Sequence, residues 1–475
     1  MPESAITFIK GDSYGSETDF RDALPVNMHG VLKPNFGAQG YMIQASGLTL
    51  FANSGTPNIS RGGVWNDRFK RHYRVQGNDF IEVYGDGTVN ILGSVSGSDT
   101  VTLDYSFETQ GIVADGRFYL YDPSNGFREV TDPNLGSPID NVWVDGYYFF
   151  TDGERLYHTE IVNGVPVEDS IDSADEAVAL FMPDDSLGLG KTQDNKVIVF
   201  GRYSTEYYVN DASVNFSFAR VQSRATKSGI VGTHAKCESA GTWFIFGGSK
   251  DEAISIHALG VGSTTKVATR EVEKIIGEYT EVELKNVVLE AYEEDGYHFI
   301  VVHLPNETLK FNRTLAEKVG IEQAWSILKT DVVGDREWRA KFGVFDVNLG
   351  QWVFGDKING NIGILDNTVA TQYDEIVEWL LFTPYAYLER GSIDEFEVET
   401  IAGFTGSSDA TVFLSLTYNG ITYGKEWTEM YGLPSDYGKR FIIRRLGYVA
   451  DFVAFKMRGA TRSRMAFARG FIKYG

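Results

Sequence analysis

A chain of 475 residues with 43% hydrophobic content can bury a large core or divide into two or three domains. It carries 43 basic against 65 acidic residues, a formal net charge of -22, which disfavours general binding to nucleic acid. Cys237 is the one cysteine, so an internal disulfide and a thiolate metal cluster are excluded and a small, buried apolar role is expected for it. No apolar run approaches the roughly 18 residues that span a bilayer, and MPESAITFIKGDSYG lacks the regions of a signal peptide, so folding in a cytoplasm is expected.

Residues 1 to about 60 are glycine-rich and irregular, with strand patterns at Tyr41 to Ala45 and Leu48 to Ala52. Two placements are open for them: closing the region that follows, or joining the C-terminal domain. From residue 61 to about 370 one unit keeps returning, an apolar or aromatic strand, a short polar turn and a second apolar strand. It reads RHYRVQGNDFIEV at 71 to 83, GRFYLYDPSNGFREV at 116 to 130, GYYFFTDGERLYHTE at 146 to 160 and KVIVFGRYSTEYYV at 196 to 209. It continues as TWFIFGGSKDEAISI at 242 to 256, YHFIVVHLPNETLKF at 297 to 311 and QWVFGDKINGNIGIL at 351 to 365. Val, Ile, Phe and Tyr on the flanks favour strands, while Gly77-Asn78, Asn125-Gly126, Asp152-Gly153 and Asn359-Gly360 supply the permissive backbone of tight turns. Strands such as Tyr147 to Phe150 and Phe299 to Val302 are apolar on both faces, as strands stacked between two other sheets are. The turns recur roughly every 30 to 55 residues, the spacing of four-stranded blades set radially. The prediction is an all-β fold, a β-propeller of six or seven blades over 61 to 370 with a β-sandwich-like assembly domain over 375 to 475.

Two stretches inside the repeat region differ. The segment near 162 to 192, with VEDSIDSADEAVALFMPDDSLGLGKT, reads as an acidic excursion from a blade edge. Its end, LGLGKT at 187 to 192, is similar to the end of a phosphate-binding loop. Asp185 stands where the motif's first glycine belongs, however, and a strand follows instead of a helix, so nothing cradles a phosphate. Farther on, Thr280 and Glu283 make a capping box, and Leu284, Val287, Val288 and Ala291 then share one helical face. This predicts a short helix joining two blades, with Ile275 and Ile276 packed nearby.

The last hundred residues change character. EIVEWLLFTPYAYLE at 375 to 389, extended or helical, leads into strands within FEVETIAGF at 396 to 404, ATVFLSLTYNGITYGKEW at 410 to 427, KRFIIRRLGYV at 439 to 449 and DFVAFKMRGA at 451 to 460. Period-2 alternation at Val412, Leu414 and Leu416, and at Phe452, Ala454, Lys456 and Arg458, marks strands with one polar face. From Tyr437 to Gly475 ten Lys or Arg stand against Asp451 alone, on a chain whose first 436 residues carry 33 basic and 64 acidic residues. A basic end on an acidic body suggests docking on an acidic partner or another copy, which makes Lys439, Arg440, Arg444, Arg445 and Arg458 the assembly-interface candidates. The plainer alternative is a sandwich whose outward positions are Lys and Arg.

Catalytic patterns are sparse. The seven histidines, at 29, 72, 158, 234, 257, 298 and 303, form no close ligand set, and His298 and His303 are five apart on one strand and point to opposite faces. A propeller glycosidase needs two carboxylates at a defined separation, and the acids that stand out, Asp184, Asp185 and the 293 to 295 group, sit in loops. SKDEA at 249 to 253 lacks the glycine of an Asp-box turn, and DPSNG at 122 to 126 reads as a plain turn before a Ca²⁺ loop. No catalytic, cofactor-binding or metal-binding residue is assigned, and no cofactor is expected.

The ordered segments LPVNM at 24 to 28, SRG at 60 to 62, VEKIIGEYT at 272 to 280, VHLP at 302 to 305, WSILKT at 325 to 330, LLFTP at 380 to 384, ITYGKE at 421 to 426 and KRFIIRRLG at 439 to 447 carry a resemblance. In that order they resemble the packaged-DNA stabilisation proteins of short-tailed bacteriophages, also called tail accessory or tail hub proteins. The resemblance covers nearly the whole chain, is strongest from about 270 onward, and rests on shared order, not on any one motif. It implies a structural virion protein, not an enzyme, assembled in the host cytoplasm and located in the virion tail. Six copies would form a ring below the portal and its adaptor, extend the DNA channel, retain the packaged genome and help mount the tail needle and the tailspikes or fibres. The implied partners are the chain itself as a homohexamer, the portal-adaptor connector, the needle and spike proteins, and double-stranded DNA passing without sequence-specific binding. The segments before 60 and at 162 to 192 depart from the pattern, so the docking spike or fibre stays unidentified. Two other classes remain on the residues alone. One is a glycan-binding propeller, for which Tyr147, Tyr207 and Trp243 are platform candidates that are expected to be buried. The other is a propeller glycoside hydrolase.

Overall fold

The structure, a computed structural model, describes residues 3–7, 23–33, 39–55, 58–173, 176–178, 184–213, 216–400 and 410–475. All seven recurring hairpins form. Six supply the second and third strands of an antiparallel sheet, and the one at 116 to 130 supplies the third and fourth. Among the described residues the sheets make seven blades: blade 1 (60–94), blade 2 (102–129), blade 3 (140–178), blade 4 (186–220), blade 5 (229–266), blade 6 (288–328) and blade 7 (340–366). Blade 7 is completed from the other end of the chain, because Gly47–Asn53 pairs antiparallel with Asn361–Asp366 as its outermost strand. Ala52 then packs with Val353 and Ile362 of blade 7 and with Ile81 and Val83 of blade 1, closing the circle.

Each apolar strand is sandwiched between neighbouring blades, which explains its lack of alternation. Phe299, Ile300, Val301 and Val302 are all fully buried, Ile300 and Val302 toward blade 5, Phe299 and Val301 toward blade 7. Burying such side chains is worth about 1.5–3 kcal/mol each. Gly77, Gly126 and Gly153 occupy the left-handed backbone their turns require. Gly360 does not, and is needed for close approach instead: a Cβ there would lie 1.9 Å from the Gly55 carbonyl oxygen at the closing strand.

Two sequence expectations are corrected and one left open is decided. The capping box at Thr280 and Glu283 is present, but its helix is only Glu281–Leu284, and Val288 and Ala291 belong to the strand Val288–Glu294. An apolar run that fits a helical face equally fits a strand buried on both sides, and packing between blades decides. A second short helix, Arg270–Ile276, precedes it and buries Val272 and Ile276. The 162 to 192 segment is less of an excursion than its acidity suggested: it contains the outer strand of blade 3, Glu176–Val178, and the first strand of blade 4, Ser186–Lys191, so LGLGKT is mostly strand. The stretch from 375 to 389 is extended, with strands Glu378–Phe382 and Ala386–Tyr387.

Two sheets beside the outer edges of blades 6 and 7 form the sandwich. One runs Met28–Val31, Tyr41–Gln44, Ala466–Tyr474, Gly391–Thr400, Phe441–Val449, with Glu3–Thr7 also on Ala466–Tyr474. The other runs Glu378–Phe382, Phe452–Ala460, Thr411–Thr417, Glu426–Met430, with Ala386–Tyr387 also on Phe452–Ala460. Val412, Leu414 and Leu416 share the core with Phe455 of their own sheet and with Phe396 and Phe467 of the other, Phe396 and Phe455 stacking at 4.1 Å. The early strands thus divide between the domains, Met28–Val31 and Tyr41–Gln44 to the sandwich and Gly47–Asn53 to the propeller.

Candidate assembly surfaces

Three of the segments that carry the resemblance meet where the domains join. Val26 bridges Ile327 of blade 6 and Leu380 of the sandwich. Asn27 is buried at φ 50°, a left-handed conformation that Asn tolerates better than most residues. Its Nδ2 donates to the carbonyls of Lys329 (3.0 Å) and Glu378 (2.7 Å), and its Oδ1 accepts from the Lys329 N–H (2.9 Å). Beside it the Lys329 ammonium meets the Glu378 carboxylate at 3.0 Å, both largely buried.

Along the propeller axis, the first strands of blades 2, 3 and 6 carry a ladder of carboxylates. Asp104 of blade 2 accepts from the Trp143 N–H of blade 3 (2.7 Å) and from Lys191 Nζ of blade 4 (2.9 Å). Asp140 of blade 3 repeats this one blade on, accepting from the Leu189 N–H of blade 4 (2.7 Å) and from Lys236 Nζ of blade 5 (2.9 Å). Glu290 of blade 6 accepts from the Gly343 N–H of blade 7 (2.7 Å) and from His303 Nε2 (2.5 Å). Burial pushes the His303 imidazole down to about 3, so the ring is neutral and donates its Nε2–H. Burial alone would raise Glu290, but His303, the Gly343 N–H and Lys341 outweigh it and hold the carboxyl below its usual range. Arg74 of blade 1, fully buried, donates to the Phe342 carbonyl of blade 7 (2.8 Å). The backbone donors tie each carboxylate to the next blade, Arg74 ties blade 1 to blade 7 and the two lysines reach two blades on, whereas the His303 bond stays within blade 6.

The predicted basic surface is largely neutralised within its own domain. Lys439 pairs with Glu429 (3.1 Å), Arg440 with Glu397 (2.6 Å), Arg444 with Glu395 (3.1 Å) and Arg458 through two bonds with Glu426 (2.7 and 2.8 Å). Lys473 and Arg469 likewise reach Glu395 (2.9 Å) and Glu399 (2.7 Å) from the opposite side. The strand Gly391–Thr400 lays three glutamates between two basic strands, so residues 378 to 475 total twelve basic and eleven acidic side chains, against 31 and 54 before them. Exposed pairs of this kind contribute about 0–1 kcal/mol each. Arg445 differs: at φ 61°, beside an irregular step in strand register, it makes no ion pair among the described residues.

The sequence reading missed an apolar surface. Tyr387 pairs in register with Phe452, their rings 5.1 Å apart, and the Tyr418 hydroxyl donates to the Tyr448 carbonyl (3.4 Å). These four and Ile421 are each at least half exposed. The available signal was Phe452 itself, an aromatic on the strand face it shares with Lys456 and Arg458.

Other chemistry is occupied elsewhere. Asp122 of the DPSNG turn accepts from Ser124 N, Asn125 N and the Arg128 guanidinium (2.8 Å), which fills the loop a cation would need. Tyr207 is buried, whereas Tyr147 packs half-buried on His158 and Phe218, and Trp243 packs half-buried on Phe200 and donates to the Lys191 carbonyl. Among the described residues no three His, Cys, Asp or Glu side chains are grouped to hold a metal, and no helix is long and apolar enough to cross a membrane. Burial raises the Cys237 thiol far above its ordinary range.

Similar solved structures include streptogramin B lyase (12% identity, 67% of this chain and 96% of that one, TM-score 0.43) and the Pan2 WD40 domain of Neurospora crassa (8% identity, 68% and 95%, TM-score 0.41). In sequence the chain is 28% identical over 480 residues to the tail hub protein gp10 of Salmonella phage P22, covering 98% of each. The family models described as Bacteriophage P22 Gp10, beta-propeller, and Bacteriophage P22 Gp10, beta-sandwich, match residues 4–370 and 378–475, and the chain therefore belongs to the bacteriophage P22 Gp10 family.

Proposed function

We propose that this chain is a structural tail hub subunit of a short-tailed phage, with no catalytic role. The observation that carries this reading is the kinship with the P22 tail hub protein over 98% of both chains, through both domains and the seam between them. In the finer form of the proposal, six copies close a ring beneath the portal and its adaptor, extend the DNA channel, retain packaged DNA and mount the needle and tailspikes, after assembly in the host cytoplasm. A head-to-tail contact repeated by rotation closes into such a ring. The sandwich is the domain suited to protein contacts: its charges balance, its aromatic end is exposed, and Arg445 is uncommitted, with Lys439, Arg440, Arg444 and Arg458 as the rim. The acidic propeller body suits a channel wall, since like charge repels phosphate and avoids the ion pairs that would hold a duplex in place. The test is mass determination of the purified chain, alone and mixed with its phage's portal-adaptor complex. Six copies bound per complex support the reading, and a chain that ignores the complex refutes it.

A further inference from the structure

Close to Asn27, a histidine and a lysine from different domains face each other in the buried seam. On the sandwich strand Met28–Val31, Met28 packs in the sandwich core while His29 turns toward blade 6. The His29 ring meets Phe299 edge-on at 5.1 Å, and its Nδ1 lies 3.5 Å from Lys310 Nζ. Lys310 stands on the third strand of blade 6, its ammonium 3.7 Å from the centre of the Phe299 ring and 5.3 Å from that of Tyr292. Both His29 and Lys310 are buried.

The pair sits among more positive charge than negative. Lys310 makes no ion pair among the described residues. The carboxylate that acts on it from farther off, Glu294, accepts from Ser46 Oγ and lies 3.5 Å from Arg464 Nη2, so two cations share one largely buried anion. The other polar groups around the pair are the phenols of Tyr41, Tyr292 and Tyr297, the Asn312 amide, which donates to the Gly30 carbonyl, and Asp295 in an exposed turn.

An N···N contact attracts only while one of the two nitrogens keeps a lone pair. With His29 neutral, its Nδ1 can accept from the Lys310 ammonium; with both protonated, two positive charges face each other and no acceptor stands between them. Burial, then the charges of Lys310 and Arg464, hold the His29 imidazole well below its ordinary range. Burial lowers the Lys310 ammonium to about 8, with Glu294 opposing the shift and Arg464 adding to it. Where the seam opens, both groups meet water and return to their ordinary values of about 6.5 and about 10.5. The open state therefore binds more protons between about 10.5 and 8, and again below about 6.5, so proton uptake in either window favours opening.

We propose that the His29–Lys310 contact is a proton-sensitive latch between propeller and sandwich, tightest with both side chains neutral and loosened by each proton they take up. The Val26 bridges and the Asn27 hydrogen bonds beside it contain no titratable side chain, so the pH response of this part of the seam falls to the pair. The latch acts within one chain and stands or falls separately from the tail hub reading.

The test is native-state hydrogen exchange of the full chain. The seam amides of Val26 and Asn27 are followed relative to the sandwich strand Thr411–Thr417, so that the intrinsic pH dependence of exchange cancels. In the parent chain, relative seam protection is expected to rise about tenfold from pH 7 to pH 9 and to fall about tenfold or more from pH 6.5 to pH 4.5. Lys310→Met is expected to raise seam protection at pH 7 and to remove the alkaline rise. His29→Gln, which keeps a polar side chain but takes up no proton, is expected to remove the acid loss and keep the alkaline rise. Relative protection that stays flat in both windows overturns the proposal. So does an acid loss in His29→Gln equal to the parent's, or an alkaline rise that persists in Lys310→Met. Melting curves at pH 7 check that each variant folds, and if Lys310→Met does not, the parent and His29→Gln decide.

Discussion

Replacing Asp140 by alanine tests whether the axial ladder holds the propeller together. The carboxylate accepts from Lys236 Nζ at 2.9 Å, Leu189 N at 2.7 Å and Thr102 Oγ1 at 2.8 Å, with side-chain exposures of 1% for Asp140 and 9% for Lys236. Truncation leaves a buried ammonium and a buried N–H unpaired, and removing one partner of such a pair costs about 3–5 kcal/mol. At about 2.1 cal/mol/K per residue, a propeller of roughly 300 residues has an unfolding entropy near 0.6 kcal/mol/K, so a loss of ~4 kcal/mol lowers the melting temperature by about 6–7 °C. The assay is calorimetry on the full chain, following the propeller transition. The double variant Asp140→Ala, Lys236→Met is expected to recover part of the loss, because it removes the stranded charge. A single variant within about 1 °C of the parent would refute the idea that these pairs fasten one blade to the next.

Asn27→Ala removes three hydrogen bonds and places a less tolerant residue at positive φ, so about 2–4 kcal/mol is lost at the seam, seen as separate melting of the two domains; one unchanged transition would contradict this. Gly360→Ala drives a Cβ into the Gly55 carbonyl and should release the closing strand, detected as faster hydrogen exchange across 47–53 with the sandwich unaffected. Burial pushes His72 and His234 down to about 4, against about 6.5 in the unfolded chain. Between those values the unfolded state binds more protons, so stability falls as pH drops from about 6.5 to about 4, and a denaturation midpoint that stays flat over that window would contradict the assignment.

The hairpins were legible because their signals are local: an Asn-Gly or Asp-Gly turn between apolar runs fixes a pair of strands within fifteen residues. The closing strand was not, since Gly47–Asn53 pairs with Asn361–Asp366 some three hundred residues away and its sequence alone fits either domain. The helix at 281 was read too long because Val288 and Ala291 satisfy a helical face and a doubly buried strand alike. Charge was legible as a sum and not as a pairing. The run from Lys439 to Lys473 is basic in one dimension, but folding sets Glu395, Glu397 and Glu399 between its strands. The exposed aromatic end depends on which strands and loops meet in space, and no motif announces it.

The most direct test of the tail hub account is a cryo-electron microscopy reconstruction of the mature virion tail. It is expected to show six copies of this chain in a ring beneath the adaptor, with sandwich surfaces in contact between copies and acidic propeller residues toward the lumen. Absence of the chain from that position would contradict the account, as would Arg440, Arg444 and Arg445 lining the channel wall.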